Sequence, residues 1–193
     1  SLFLTVLLVR NLRLDLALLL GMIIGAGVLT KTNAFFNLYL LPISLILFDW
    51  KDKEKLNRLL KWSSMVVVTS ILAYLLYSVL RLSPFFNIIN EKNALFVYPL
   101  KEWIKHPFSF FIGNWKAVLD WLIVYMTWPV VLLVGSSFFI KRSRMKEKLL
   151  LLIWFVIPGI ALSIFGKTLY PRFIFFMTLS LLPRDAFSLL NIY

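Results

Sequence analysis

Gly21-Met-Ile-Ile-Gly-Ala-Gly-Val-Leu-Thr-Lys-Thr-Asn33 decides how the rest of the chain is read, because it places one lysine at the end of an apolar run that carries no other charge after Asp15. The run from Leu14 to Thr30 is nearly continuous Leu, Ile, Val, Gly and Ala. A second apolar run, Ala34 to Phe48, begins almost at once, so Thr30 to Asn33 must form a tight reversal between two membrane-depth helices. A lysine inside a span costs several kcal/mol unless it snorkels, pairs or faces water, with scales starting at about 2.5 kcal/mol. Lys31 is therefore expected at a rim or in a wet cavity.

Composition agrees with this. The 193 residues are 61% hydrophobic, with a mean hydropathy of +0.86 and a formal net charge of +12. That is the profile of a polytopic membrane protein and not of a soluble domain. A basic excess can signal nucleic acid, but the apolar spans leave little room for such a face, and no nucleic-acid partner is expected. The chain has no cysteine, which removes disulfides and thiolate metal sites. It starts at Ser1 without a signal-peptide pattern, and its first apolar segment, Leu2 to Val9, is too short to span. The expectation is a fragment of a larger protein.

Hydropathy gives an all-α transmembrane helix bundle of about five to six spans in a single domain, at roughly 12–30, 33–48, 62–80, 118–140, 149–165 and 173–193. The last is the weakest, since the apolar run Phe173 to Leu182 is too short to cross. Either it continues through a neutralising Arg184 and Asp185 pair, or it is cut or re-entrant. Between the third and fourth spans lies 82–115, broken by Pro84, Pro99 and Pro107 and rich in aromatics. It is too polar to cross and too apolar for a free linker, which predicts one or two amphipathic helices on the membrane surface.

Charge sets the orientation. Lys51 to Lys61 and Lys141 to Lys148 each hold five Lys or Arg, whereas 82–115 is dilute in them. Both dense segments go to the cytoplasm by the positive-inside rule, the first as a solvated turn and short surface helix. Span parity then puts the Thr30-Lys31 reversal, the aromatic stretch and the loop Gly166 to Arg172 on the outer face. Three cations, Lys31, Lys167 and Arg172, end helices on that side, where low dielectric strengthens their pull on an anion. Arginine suits bidentate phosphate contact and lysine a point-charge contact. Tyr170 adds a hydroxyl donor and Pro171 fixes the loop. Taken singly, each cation also fits an anchor snorkelling to lipid headgroups.

Gly25-Ala-Gly-Val-Leu-Thr-Lys31, with the apolar run to Pro42, resembles the "G-x-x-x-L/M-T-K" segment of GT-C class integral-membrane glycosyltransferases, in the dolichyl-phosphate-mannose protein mannosyltransferase and aminoarabinose transferase superfamily. Lys167-Thr-Leu-Tyr-Pro-Arg-Phe173, with the run to Pro183, resembles that family's "Y-x-R-Y-x-x-P" segment. The order of span, basic loop, span, long outer stretch and span is also similar, so the resemblance covers Gly21 to Pro183. One departure is Arg184-Asp185, where the family continues with small apolar residues.

The resemblance implies transfer of a sugar from a polyprenyl-phosphate donor to a lipid, glycan or protein acceptor on the outer face, in a prokaryotic plasma membrane if the short loops are a guide. By motif position Lys31 would contact the lipid phosphate, with Tyr170 and Arg172 nearby, and Lys167 joins them on its place in the loop alone. The catalytic aspartate of the family lies in a first outer loop, upstream of Ser1, so no catalytic residue is assigned here. A divalent metal accompanies the acceptor site in some related enzymes. His106, the only histidine, lacks a ligand cluster and supports no metal site by itself. The carboxylates read as helical pairs, Asp120 with Lys116 and Glu102 with Lys105. Two rivals remain open: a transporter or lipid flippase fragment, in which the Gly-rich first span and buried cations serve a translocation path, and a non-catalytic assembly subunit.

Overall fold

The computed structural model describes residues 1–106, 108–140 and 145–173, and among them every regular element is helical. The only β feature among these residues is an isolated bridge between Val97 and Gly166. The chain divides into two units, Ser1–Phe86 and the part from Asn87 onward.

In the first unit, α1 (Leu2–Asn11) ends on Leu12, whose φ of 50° puts it in the left-handed region. Its N–H closes on the Leu8 carbonyl at 2.9 Å, which satisfies one of the helix's last acceptors. Helix α2 (Leu14–Thr30) follows, then a 3-10 turn at Thr32–Ala34, a short helix α3 (Phe35–Tyr39), a 3-10 segment Leu41–Leu47, and α4 (Lys55–Ser78).

Small residues determine how α2 meets α4. Ala17, Gly21 and Gly25 recur every four residues on the buried face of α2. A Cβ added at Gly21 would lie 2.9 Å from the Thr69 carbonyl oxygen, and one at Gly25 would lie 2.8 Å from Leu76 Cβ. The backbones therefore approach as in small-xxx-small pairs. Thr69 Oγ1 exploits that closeness and donates to the Ala17 carbonyl at 3.0 Å. Opposite the buried Thr69 and Ala73, the side chains of Val67, Ile71 and Leu75 are 52%, 55% and 62% exposed. A stripe that apolar has no favourable partner in water.

Three expected boundaries change. The second span, 33–48, is not one helix. Pro42 lacks the N–H that would bond Leu38, so the segment is cut into α3 and the tighter 3-10 piece. The surface helix before the third span is not separate either, since α4 starts at Lys55 and runs on through the apolar stretch. The last expected span falls outside the described residues, apart from its first residue.

In the second unit, the aromatic stretch forms α5 (Phe86–Phe96) and α6 (Leu100–Lys105), and α7 (Phe111–Ile140) begins earlier than hydropathy suggests. Helix α7 breaks at Thr127, with φ 60° and ψ 154°. Pro129 explains the break, because its ring clashes with the carbonyl four residues back and disfavours helical geometry just before it. Helix α8 (Met145–Phe165) returns antiparallel to α7. Asn114 at the start of α7 bonds Ser163 at the end of α8, and Val118, Leu122 and Met126 share a core with Phe155. Residues 141–144 of the dense basic run lie outside the described residues.

Among the described residues two stretches are long and apolar enough to cross a membrane, Lys55–Leu82 and Met145–Phe165. Only 11% of the most apolar window of the first is buried, unlike the core helix of a soluble protein. Leu2–Asn11, Leu14–Thr30 and Thr32–Leu47 are apolar but shorter.

Candidate functional site

Lys31 lies where the reversal was expected. Helix α2 stops at Thr30, and Lys31 turns extended, at φ −157° and ψ 125°. Its N–H still reaches the Gly27 carbonyl at 2.9 Å, while its own carbonyl accepts from Ala34 at 3.0 Å and starts the next turn. Thr30 Oγ1 donates to the same Gly27 carbonyl at 2.7 Å. The Thr-Lys pair is thus a helix terminator that sets a half-buried lysine at the helix end.

Lys167, Tyr170 and Arg172 belong to the second unit, in the turn after α8. Gly166 makes that turn possible, because an added Cβ would strike the Leu162 carbonyl oxygen and lie 2.6 Å from Leu169 Cδ2. The turn is tied to the aromatic stretch by two backbone bonds, Tyr98 N–H to the Phe165 carbonyl at 2.9 Å and Lys167 N–H to the Phe96 carbonyl at 2.8 Å. The Asn114 amide adds two more, donating to the Ser163 carbonyl at 3.2 Å and the Gly166 carbonyl at 2.8 Å. Together these caps satisfy carbonyls that the end of α8 would otherwise leave unpaired.

Both cations of the turn rest on aromatic faces. Lys167 Nζ is 5.8 Å from the centroid of the Tyr98 ring, and the Arg172 guanidinium is 5.2 Å from that of Tyr170 and 5.6 Å from that of Phe173. Tyr170 in turn sits edge-on to Phe96 at 6.0 Å and to Phe173 at 5.8 Å. Cation–aromatic contact positions an exposed charge for about 0.5–1 kcal/mol without burying it, so all three side chains stay exposed. The aromatic stretch and the Gly166–Arg172 turn, expected on one face, are in direct contact at the end of the α7–α8 hairpin away from Met145.

Beside this turn is a cavity of about 360 Å³. Tyr98, Trp103, Phe108 and Phe110 wall it, and Glu102, Lys105, His106 and Ser109 supply polar groups. Two local costs converge on its wall. Phe108 has a φ of 68°, a left-handed conformation that costs a non-glycine residue on the order of 1–3 kcal/mol. Trp103 Nε1 is buried without an acceptor among the described residues, a loss of about 1–3 kcal/mol. Ser109 Oγ donates to the His106 carbonyl at 2.7 Å, which leaves its lone pairs as acceptors.

Sequence reasoning gave Glu102 and His106 separate and minor roles, and it passed over Tyr98, Trp103 and Asn114. Asn114 carried a readable signal, since an amide in the first turn of an apolar helix must find acceptors. The expected ion pairs Lys116–Asp120 and Glu102–Lys105 are not formed among the described residues. A lysine four residues before its acid is the weaker helical orientation. Among the described residues no three His, Cys, Asp or Glu side chains group as metal ligands, and Glu102 with His106 would be too few for a protein-built site. In comparison with known proteins, no family model, no curated protein and no solved structure matches this chain.

Proposed function

We propose that the chain is part of an integral-membrane glycosyltransferase, built as a bundle of five to six spans, that moves a sugar from a polyprenyl-phosphate donor to an acceptor on the extracytoplasmic face. The observation that carries this reading is the Lys167–Arg172 turn, whose cations are positioned on aromatic faces yet left exposed to meet an anion. As the bond between the anomeric carbon and the phosphate oxygen breaks, negative charge grows on the lipid phosphate. Lys167 and Arg172 offset that charge and Tyr170 donates its hydroxyl. The acceptor hydroxyl attacks the same carbon and gives its proton to a carboxylate base, a role assigned to no described residue. Two of the glycines that a flippase path would use, Gly21 and Gly25, pack against α4 instead.

The test is transfer from a purified polyprenyl-phosphate sugar by the protein in native membranes. Lys167→Ala with Arg172→Ala should lower donor affinity and turnover while membrane insertion stays normal. Transfer at the wild-type rate by that double variant would end the proposal.

A further inference from the structure

We infer that the cavity between α6 and the start of α7 is a binding site for a single pyranose ring. This deepens, and rests on, the glycosyltransferase reading. The cavity, at about 360 Å³, is at the small end of ligand pockets. That size suits one sugar ring and is short for a prenyl chain.

Its chemistry is mixed in the way a pyranose is. Tyr98 and Phe110 lie nearly parallel, with ring centroids 5.1 Å apart and planes 15° from each other, and Phe110 is 51% exposed. Flat aromatic surface of this kind takes the C–H face of a sugar ring. Hydroxyls need acceptors and donors around that face. The Glu102 carboxylate and the Ser109 oxygen accept, and the His106 ring does either. Glu102 and Lys105 line the cavity together, so it has no surplus of positive charge for a phosphate, whereas the Lys167–Arg172 turn carries two cations. The cavity and the turn are also physically continuous, since Tyr98 lines the cavity and carries Lys167 on its ring. A sugar in the cavity and a phosphate at the turn would be neighbours, as they are in a lipid-linked sugar. An acceptor glycan offers the same ring chemistry.

The experiment is a titration of the full chain in lipid nanodiscs with methyl pyranosides of mannose, glucose, galactose and N-acetylglucosamine, followed by saturation-transfer NMR. Undecaprenyl phosphate without sugar is titrated in parallel. At least one pyranoside should bind saturably, and Glu102→Gln and Phe110→Ala should each weaken it tenfold or more without changing undecaprenyl-phosphate binding. Glu102→Gln, nearly isosteric, keeps the test sound if Phe110→Ala unfolds. Displacement of the pyranoside by a lipid-linked form of the same sugar would assign the cavity to the donor, and its persistence would assign it to the acceptor. If undecaprenyl phosphate binds but no pyranoside does, or if pyranoside binding survives both substitutions, the cavity is only an interfacial aromatic cluster and the transferase reading stands without it. If pyranosides bind and undecaprenyl phosphate does not, the cavity stands as a sugar site and the transferase reading falls.

Discussion

The two units hold their helices together in opposite ways. In the first, α2 and α4 approach until there is no room for a Cβ at Gly21 or Gly25, with a threonine bond between them. In the second, the open end of the α7–α8 hairpin is closed by an asparagine, a two-residue bridge and a cluster of aromatics. That closure is looser and leaves a cavity, a left-handed phenylalanine on its wall and exposed cations. Tight packing maximises dispersion contacts and leaves nothing for a ligand. Local costs occur in both units, since Leu12 is also left-handed and Trp62 Nε1 also buried without a partner among the described residues, so the cavity and the exposed cations distinguish the second.

Substitutions that exchange these properties sharpen the contrast. The largest effect is expected at Gly25→Leu, where even the first added carbon would lie 2.8 Å from Leu76 Cβ. Overpacking there should cost about 3 kcal/mol or more, visible as a lower melting temperature in detergent. Gly113→Ala, with open space around the added carbon, should leave the melt unchanged. If both behave alike, close approach is not what holds the first unit.

Asn114→Ala should come next. It strips donors from the Ser163 and Gly166 carbonyls, a loss of about 1–3 kcal/mol. Hydrogen exchange should then speed up at the amides of Gly166 and Lys167 while the α2–α4 pair keeps its protection. Equal loss in both units would mean that the asparagine stabilises the chain in general and not this end.

Arg172→Lys keeps the charge but loses the planar fork, so affinity for a polyprenyl phosphate should fall about tenfold. Unchanged binding in a lipid-overlay or nanodisc titration would reduce Arg172 to an anchor. The smallest effect is electrostatic. The Arg58 guanidinium, donating to Asp52 at 2.8 Å with help from the Glu54 N–H, holds the Asp52 carboxyl below its ordinary value. That stabilisation is present above the unfolded-state value, about 3.9, and is lost as pH falls through the folded one. Between about pH 6 and about pH 3 the wild type should therefore lose slightly more stability than Asp52→Asn. Identical melts would show that the bridge contributes nothing, as many exposed pairs do.

Much of the first unit was legible in the sequence. A lysine ending an apolar run located the reversal at Thr30–Asn33, and the all-helical class followed from long runs without strand alternation. Hydropathy misjudged 33–48 because it does not register that Pro42 removes a backbone donor. It also placed the start of α4 too late, since Lys55 to Lys61 read as solvated although Arg58 folds back onto Asp52 and the Phe48 ring. The residues of the candidate turn, Lys167, Tyr170 and Arg172, could be named from their place at a helix end. The cavity could not, because Tyr98 and Ile164 line it together through pairing between segments distant in sequence. No periodicity encodes such pairing. The glycines of α2 were visible, but their purpose depended on the facing surface of α4.

The central claim is that the end of the second unit carrying the cavity and the Lys167–Arg172 turn faces out of the cell. The absence of cysteine makes this directly testable. Single cysteines at Ser109, Thr168 and Glu147 would be exposed to a membrane-impermeant thiol reagent on intact cells, with Asn33 and Lys53 as the matching pair in the first unit. Ser109→Cys, Thr168→Cys and Asn33→Cys should label at once, and Glu147→Cys and Lys53→Cys only after the membrane is permeabilised. Labelling of Glu147→Cys on intact cells while Thr168→Cys stays protected would invert the second unit. The turn could then not meet a lipid-linked sugar on the outer face, and the account would fail.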